Sequence, residues 1–289
     1  MTATTAFPAP HTPAPFLGAH GVRRRRLLLG AAVAACARPA WSAPAAEPLR
    51  IGINAGVSFA ESEEQQRRRY AGLLDGLGRS IGQRLDFSAV YSDRVGRAVK
   101  AGGHDLLLVH THAALRAGRE AGWRVLAFSE DRRDNAAIFF VRPDDPRREL
   151  AQLAGLEIGA PGLQSWATAT ARAELRRAAP QRTARFRTTR MQDVVPYMVQ
   201  LRTVDAGVCR DRAVVEEGVA AGRIRVVHRS APQPLYALIA APGLHGPLCD
   251  RLCQQSTALA TPVFDGTPLR ALQYSDAELA RLQAYYADA

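Results

Sequence analysis

Short apolar runs alternate with amphipathic stretches along most of this chain. Continuous apolar runs bounded by Gly, Asp or Pro predict buried strands, and apolar positions three and four apart predict helices. From residue 49 the pattern reads as a strand over 49–53, a helix over 61–81, a strand over 85–90 and a helix over 93–101. A strand over 105–109, a helix over 112–121 and strands over 123–128 and 136–141 follow. After Pro143-Asp144-Asp145-Pro146 a second set begins. It reads as a helix over 147–154, a strand over 157–160, a helix over 165–178, a strand over 185–188 and a helix over 191–200. A strand over 205–209, a helix over 212–221 and a strand over 224–228 complete it. Ser230-Ala231-Pro232-Gln233-Pro234 breaks the chain again, an apolar run fills 235–240, and the remainder looks helical over 246–259 and 276–286. Such alternation marks βαβ units around parallel sheets.

Two runs share one grammar. Gly103-His104-Asp105-Leu106-Leu107-Leu108-Val109-His110 and Val204-Asp205-Ala206-Gly207-Val208-Cys209-Arg210 each open on an Asp, continue apolar and end on an abrupt polar step before a helix. The expectation is an α/β protein of two lobes: 49–141 with 235–289 as the first, 142–234 as the second. Two crossovers, near Val141 and 232–235, would let the lobes hinge around a ligand. His110 and Arg210, each just past its sheet edge, would then face one another across the cleft, since open α/β sheets bind at their carboxyl edges.

The amino terminus reads differently. Arg23-Arg24-Arg25-Arg26 precedes a short apolar run from Leu27 and small residues around Ala40-Trp41-Ser42-Ala43, so 1–43 reads as an export signal, with 44–48 as linker. The Arg-Arg-x-Leu-Leu arrangement resembles a twin-arginine signal; an ordinary secretory signal is the alternative. Val33-Ala34-Ala35-Cys36 resembles a lipoprotein box, which would make Cys36 a lipid anchor unless cleavage falls near Ser42 or Ala45. The formal charge of +11 includes five arginines in 1–43, leaving +6 without them. The remaining bases are dispersed, with no basic tail or interleaved aromatics, which argues against a nucleic-acid partner. Cys209, Cys249 and Cys253 are expected to be unpaired thiols, because two cysteines four apart suit neither a zinc site nor a relaxed disulfide.

Candidate chemistry gathers at the predicted strand ends. Asn54 and Ser58 follow the first strand. His110-Thr111-His112 offers hydrogen bonds to a ligand or, if further ligands converge, a metal pair. Gly162, Gln164 and Ser165 stand before a helix whose backbone N–H groups suit an oxyanion, though Ser165 could equally be a helix cap. Arg190 and Arg210 could each grip a carboxylate or phosphate with two hydrogen bonds. Phe59, Trp166 and Tyr236 are candidate aromatic walls. No nucleophile elbow, phosphate-loop motif or cofactor motif is present.

In order and spacing the chain resembles the periplasmic substrate-binding proteins of the phosphate, phosphite and phosphonate transporters. Leu49-Arg50-Ile51-Gly52-Ile53, the Asp105 strand, Phe139-Phe140-Val141-Arg142-Pro143-Asp144, Leu153-Ala154-Gly155-Leu156-Glu157-Ile158-Gly159 and Val204-Asp205-Ala206-Gly207-Val208 carry the likeness. It implies a type II two-lobe periplasmic-binding-protein fold and a monomer that catalyses nothing. Such a protein captures a small anionic solute, phosphate-like, phosphonate-like or another oxyanion, for an ABC-type permease. A membrane sensor kinase as partner, or an enzyme on the same fold, are the alternatives. Two segments depart from the family: His110-Thr111-His112 replaces a small turn, and Gln164-Ser165-Trp166 replaces a Ser-Thr-Ser cluster. The chain's own ligand contacts are expected there.

Overall fold

A computed structural model describes residues 47–56 and 61–287. The expected export signal, Cys36, linker residues 44–46, Ser58 and Phe59 lie outside the described residues.

Strand β1 (Leu49–Asn54) leads to helix α1 (Glu63–Ile81), whose start is set by a reciprocal cap. The Ser62 hydroxyl accepts from the Gln65 N–H at 3.2 Å, and the Gln65 side chain accepts from the Ser62 N–H at 2.7 Å. Then come β2 (Leu85–Val90), α2 (Val95–Ala101), β3 (Leu106–His110), α3 (Thr111–Ala121) and β4 (Arg124–Asp131). The middle of the chain forms β5 (Ile138–Val141), β6 (Glu157–Pro161), α4 (Trp166–Ala178), β7 (Arg185–Thr189), α5 (Val194–Gln200), β8 (Ala206–Cys209), α6 (Arg212–Ala220) and β9 (Arg225–Arg229). It returns through β10 (Tyr236–Ala240), α7 (Gly246–Thr257), β11 (Leu269–Gln273) and α8 (Asp276–Tyr285).

The strands make two sheets, in the orders β11-β4-β10-β3-β1-β2 and β7-β6-β8-β5-β9. Each holds the same parallel trio, β2-β1-β3 in one and β7-β6-β8 in the other, flanked by an antiparallel strand. The repeated sequence grammar has a shared physical cause. The Asp105 Oδ2 accepts from the Arg50 N–H at 2.7 Å, while its own N–H donates to the Arg50 carbonyl at 2.9 Å. The Asp205 Oδ2 accepts from the Glu157 N–H at 3.1 Å, and its N–H donates to the Glu157 carbonyl at 2.9 Å. Each Asp therefore fastens the opening of one parallel strand to its neighbour, satisfying a backbone donor at the sheet's rim. Gly207 is small for its own reason: a Cβ there would collide with the Phe140 ring on β5.

The structure moves several expected boundaries. β5 pairs with β8 and β9, so residues 138–141 belong to the second sheet and not to the first lobe. The crossovers are 132–137 and 230–235, running side by side, with Ser230 and Gln233 N–H groups donating to the Ala137 and Asn135 carbonyls at 2.9 and 3.0 Å. Val141 is thus a strand residue, and Pro143–Pro146 marks only the loop that leaves β5. The prolines drew attention there, whereas the crossing itself is made by the polar run Arg132-Arg133-Asp134-Asn135. The helix expected over 147–154 shrinks to a 3-10 turn, Leu150–Leu153. Upstream of it the Arg148 and Glu149 N–H groups are taken by the Gln152 side chain at 2.7 and 3.0 Å, which replaces helical bonding. β11 was missed altogether, being a short edge strand in the stretch left unassigned between the two expected helices.

Leu106 to Val109 are buried on both faces, as a central strand covered by helices requires. Cys209, Cys249 and Cys253 are unpaired; the Cys209 Sγ donates to the Gln192 carbonyl at 3.3 Å. No helix among the described residues is long and apolar enough to cross a membrane.

Candidate functional site

The carboxyl edge of the first sheet presents Asn54 at the end of β1 and His110 at the end of β3. His110 is the strand's last residue and is buried, so it is neither past the edge nor in a solvated turn. Tyr236 pairs with it across the sheet, with ring centroids 5.4 Å apart. The Tyr236 hydroxyl is hydrogen-bonded to that of Tyr70, one turn after Gln66 on α1. Asn54 Oδ1 accepts from the Gly56 N–H at 2.7 Å and the Ser92 hydroxyl at 3.1 Å. Asn54 Nδ2, Gln66 Oε1 and His110 Nδ1 are buried without partners. Buried polar atoms are nearly always satisfied, so three orphans on one edge need an explanation.

Arg210, immediately after β8, comes to this edge from the other lobe. Its N–H is held by Gln192 Oε1 at 2.9 Å, and its Nη1 donates to Asn135 Oδ1 at 3.0 Å. Its charge acts on His110, Asp131 and Tyr236 together. Burial, the neighbouring His112 and the Arg210 charge hold the His110 imidazole well below its ordinary pKa, so it is neutral at pH 7. Burial pushes the Asp131 carboxyl up, against the hydrogen bonds it accepts and the pull of Arg210. A cleft of about 480 Å³ is lined by Arg69, Asp131, Arg133, Asn135, Arg210 and Tyr236, among others. A neighbouring recess of about 510 Å³ shares Arg133, Asn135 and Arg210. Arg210 therefore stands between two cavities at the junction of the lobes.

The remaining candidates scatter. The Thr111 hydroxyl donates to the Pro234 carbonyl at 2.7 Å and so ties α3 to a crossover. His112 is buried, and one ring nitrogen donates to the Gln164 carbonyl across the lobes; burial first, then Arg116, push it down to about 3. The Gln164 side chain accepts from Arg116 at 3.1 Å. Ser165 is a cap: its hydroxyl accepts from the Thr168 N–H at 3.2 Å and lies 3.0 Å from the Thr168 hydroxyl. The Gly162 N–H is taken by the Thr189 carbonyl at 2.8 Å. Trp166 is buried in the core with its indole N–H unpartnered, and Arg190 is exposed beyond the edge strand β7. His110 and His112 have ring centroids 6.0 Å apart, and among the described residues no three His, Cys, Asp or Glu side chains converge as a metal site.

Sequence reasoning missed Gln66, Arg69, Tyr70, Asp131 and Asn135. The first three occupy consecutive turns of α1, where they read as ordinary amphipathic residues. Asp131 precedes the polar crossover and Asn135 lies within it, and a polar stretch between two apolar runs was the only signal available.

The sequence profile of the phosphonate periplasmic substrate-binding proteins of ABC transporters matches residues 55–267. No curated protein matches the chain. XAC2383 from Xanthomonas citri, solved bound to ATP, has a similar fold, with a TM-score of 0.66 and 19% identity over 83% of this chain and 95% of that one. PhnD1 from Prochlorococcus marinus, solved with methylphosphonate, has a TM-score of 0.56 and 12% identity over 82% and 96%. The periplasmic aliphatic sulphonate binding protein SsuA from Escherichia coli has a TM-score of 0.56 and 18% identity over 84% and 86%. These likenesses show the type II two-lobe fold. The chain belongs to the phosphonate family of periplasmic substrate-binding proteins that serve ABC importers.

Proposed function

We propose that this protein captures a small oxyanion between its lobes and presents it to an ABC permease, without chemical change to the solute. The observation that supports this reading is Arg210. It is a second-lobe cation aimed at the first-lobe edge, where neutral His110, Tyr70, Tyr236 and Asn54 supply uncharged hydrogen-bonding groups. A guanidinium with neutral donors around it suits an oxyanion, and in a partly desolvated cleft its attraction exceeds that at an exposed surface. Arg69 and Arg133 add positive potential at the cleft wall. Closure would join the two halves into one docking surface for the permease. Phosphonates and sulfur oxyanions both fit this description, as do inorganic phosphate and small carboxylates. A thermal-shift screen over these classes tests it. Binding to the folded form alone raises the melting temperature with ligand concentration, by about 2.7 kcal/mol of stabilisation at a hundredfold excess over Kd. A shift confined to uncharged or cationic solutes would overturn the reading.

A further inference from the structure

We propose that the recess between α4 and β7 is a second anion site, which takes a small multivalent phosphate anion and is completed by Arg116 of the first lobe. The recess shares no lining residue with the interlobe cleft or the cavity beside it. Its volume is about 260 Å³, and Arg172, Arg176, Arg182, Thr183, Leu175 and Phe186 are among the residues that line it. No Asp or Glu among the described residues does. Arg172 is its centre. This half-buried side chain lies over the Phe186 ring, 5.4 Å from the centroid. Stacking holds the guanidinium plane and leaves its edge N–H groups to donate. One of them reaches the Leu163 carbonyl at 3.4 Å, a long bond to an uncharged acceptor. Arg116, on α3, meets the next residue of the same loop and donates to Gln164 Oε1 at 3.1 Å.

Two guanidinium groups from different lobes thus converge on one loop, and among the described residues neither pairs with a carboxylate. Glu174 is the only acid of α4, and it is committed to Tyr285 and His228 at 2.6 and 2.8 Å. By contrast Arg187, on β7, is held by both oxygens of Glu157 at 2.9 and 3.2 Å. Arg176 stands in the last turn of α4, where a cation answers the negative end of the helix. Arg172 is one turn earlier and has no such counterpart. Burial first, then the charges of Arg116 and Arg176, lower its pKa from the ordinary value, and it remains charged. Half-buried like charges without a counter-ion are costly, and an anion between them removes that cost. The guanidinium edge suits phosphate oxygens, Thr183 adds a neutral hydroxyl, and Leu175 and Phe186 form a wall that lowers the local dielectric. A multivalent anion is favoured because more than one cation acts on the recess.

Diphosphate is the probe, and Arg210→Ala removes the cation of the cleft so that the outer site is read alone. Calorimetric titration of Arg210→Ala with diphosphate at low ionic strength should show saturable binding. Adding Arg172→Gln should raise Kd by about 10- to 150-fold, the loss of a charge-assisted contact. Adding Arg116→Gln in its place should raise Kd by about two- to fivefold, since a cation outside the recess acts through its field. Arg187→Gln makes the same change of charge on β7 and should leave Kd within about twofold. Circular dichroism establishes that each variant is folded. No diphosphate bound by Arg210→Ala, or equal losses from Arg172→Gln and Arg187→Gln, would overturn the site, the second outcome meaning diffuse surface charge only. An unchanged Kd with Arg116→Gln would overturn the part assigned to the first lobe. None of these results bears on the oxyanion reading of the cleft.

Discussion

The Arg210 guanidinium donates to Asn135 Oδ1 at 3.0 Å, so a cation from the second lobe is steered by a residue of the crossover that joins the lobes. The same Asn135 donates to Asp131, and its carbonyl accepts from Gln233 on the other crossover. One side chain thus bonds both Arg210 and Asp131 and sits where the chain bends. Asn135→Ala should weaken oxyanion binding by about tenfold, equivalent to about 1.4 kcal/mol, through lost positioning of Arg210. Calorimetric Kd values for the best oxyanion in the two proteins check this.

The lobes also meet through α4 and the end of the chain. The Thr170 and Tyr286 hydroxyls lie 3.0 Å apart with both residues buried, and the Tyr285 hydroxyl donates to Glu174 at 2.6 Å. Tyr286→Phe strands the Thr170 hydroxyl and should cost about 1–3 kcal/mol. Thr170→Val should do the same to Tyr286. The double variant should lose less than the sum of the singles, because no orphan remains. Denaturant titration of the four proteins measures the coupling.

Acid should destabilise the fold through His112. Its native pKa is pushed down to about 3, against 6.5 unfolded, by burial and by Arg116 and Arg172. The contribution is fully present above pH 6.5. Between these values the unfolded chain holds the extra proton, so stability falls as pH drops from about 6.5 towards 3. His110, which faces His112 and Arg210, is shifted in the same direction. His112→Gln keeps a donor for the Gln164 carbonyl and removes the titration. The variant should therefore lose less stability than the wild type between pH 7 and pH 5. The difference should approach about 1.4 kcal/mol for each pH step of one below 6.5. Urea midpoints of the two proteins at both pH values check it.

Gly207 tests the packing between β8 and β5. An alanine methyl there meets the Phe140 ring, and both residues sit in a sheet interior with little room to yield. Gly207→Ala should destabilise by about 1–3 kcal/mol, as overpacking does, and Phe140→Leu in the same chain should recover part of the loss. Thermal melts of the three proteins read this directly.

Much of the fold was legible because its parallel strands are buried on both faces and therefore apolar without interruption. The Asp that begins each matching run was equally visible, although its role as a fastener of strand openings was not. β11 and the first crossover were hidden for different reasons. The former is a short edge strand, and the latter carries no proline. At the site, His110 and Arg210 were legible as the polar steps that end two apolar runs. Ser165 and Thr111 carried the same polar signal but proved to be committed to capping and to a crossover carbonyl. Tyr70 and Asp131 were invisible because their convergence depends on how α1 and β4 pack beside β10, which spacing along the chain does not encode.

The central claim is that an oxyanion is held between the lobes by Arg210. Calorimetric titration of wild type and Arg210→Ala with the tightest-binding oxyanion tests it most directly. Removing a charge-assisted contact should raise Kd by about 10- to 150-fold, or about 1.5–3 kcal/mol, while a solute without negative charge shows no binding to either protein. An unchanged Kd in Arg210→Ala, with the variant folded, would contradict the claim.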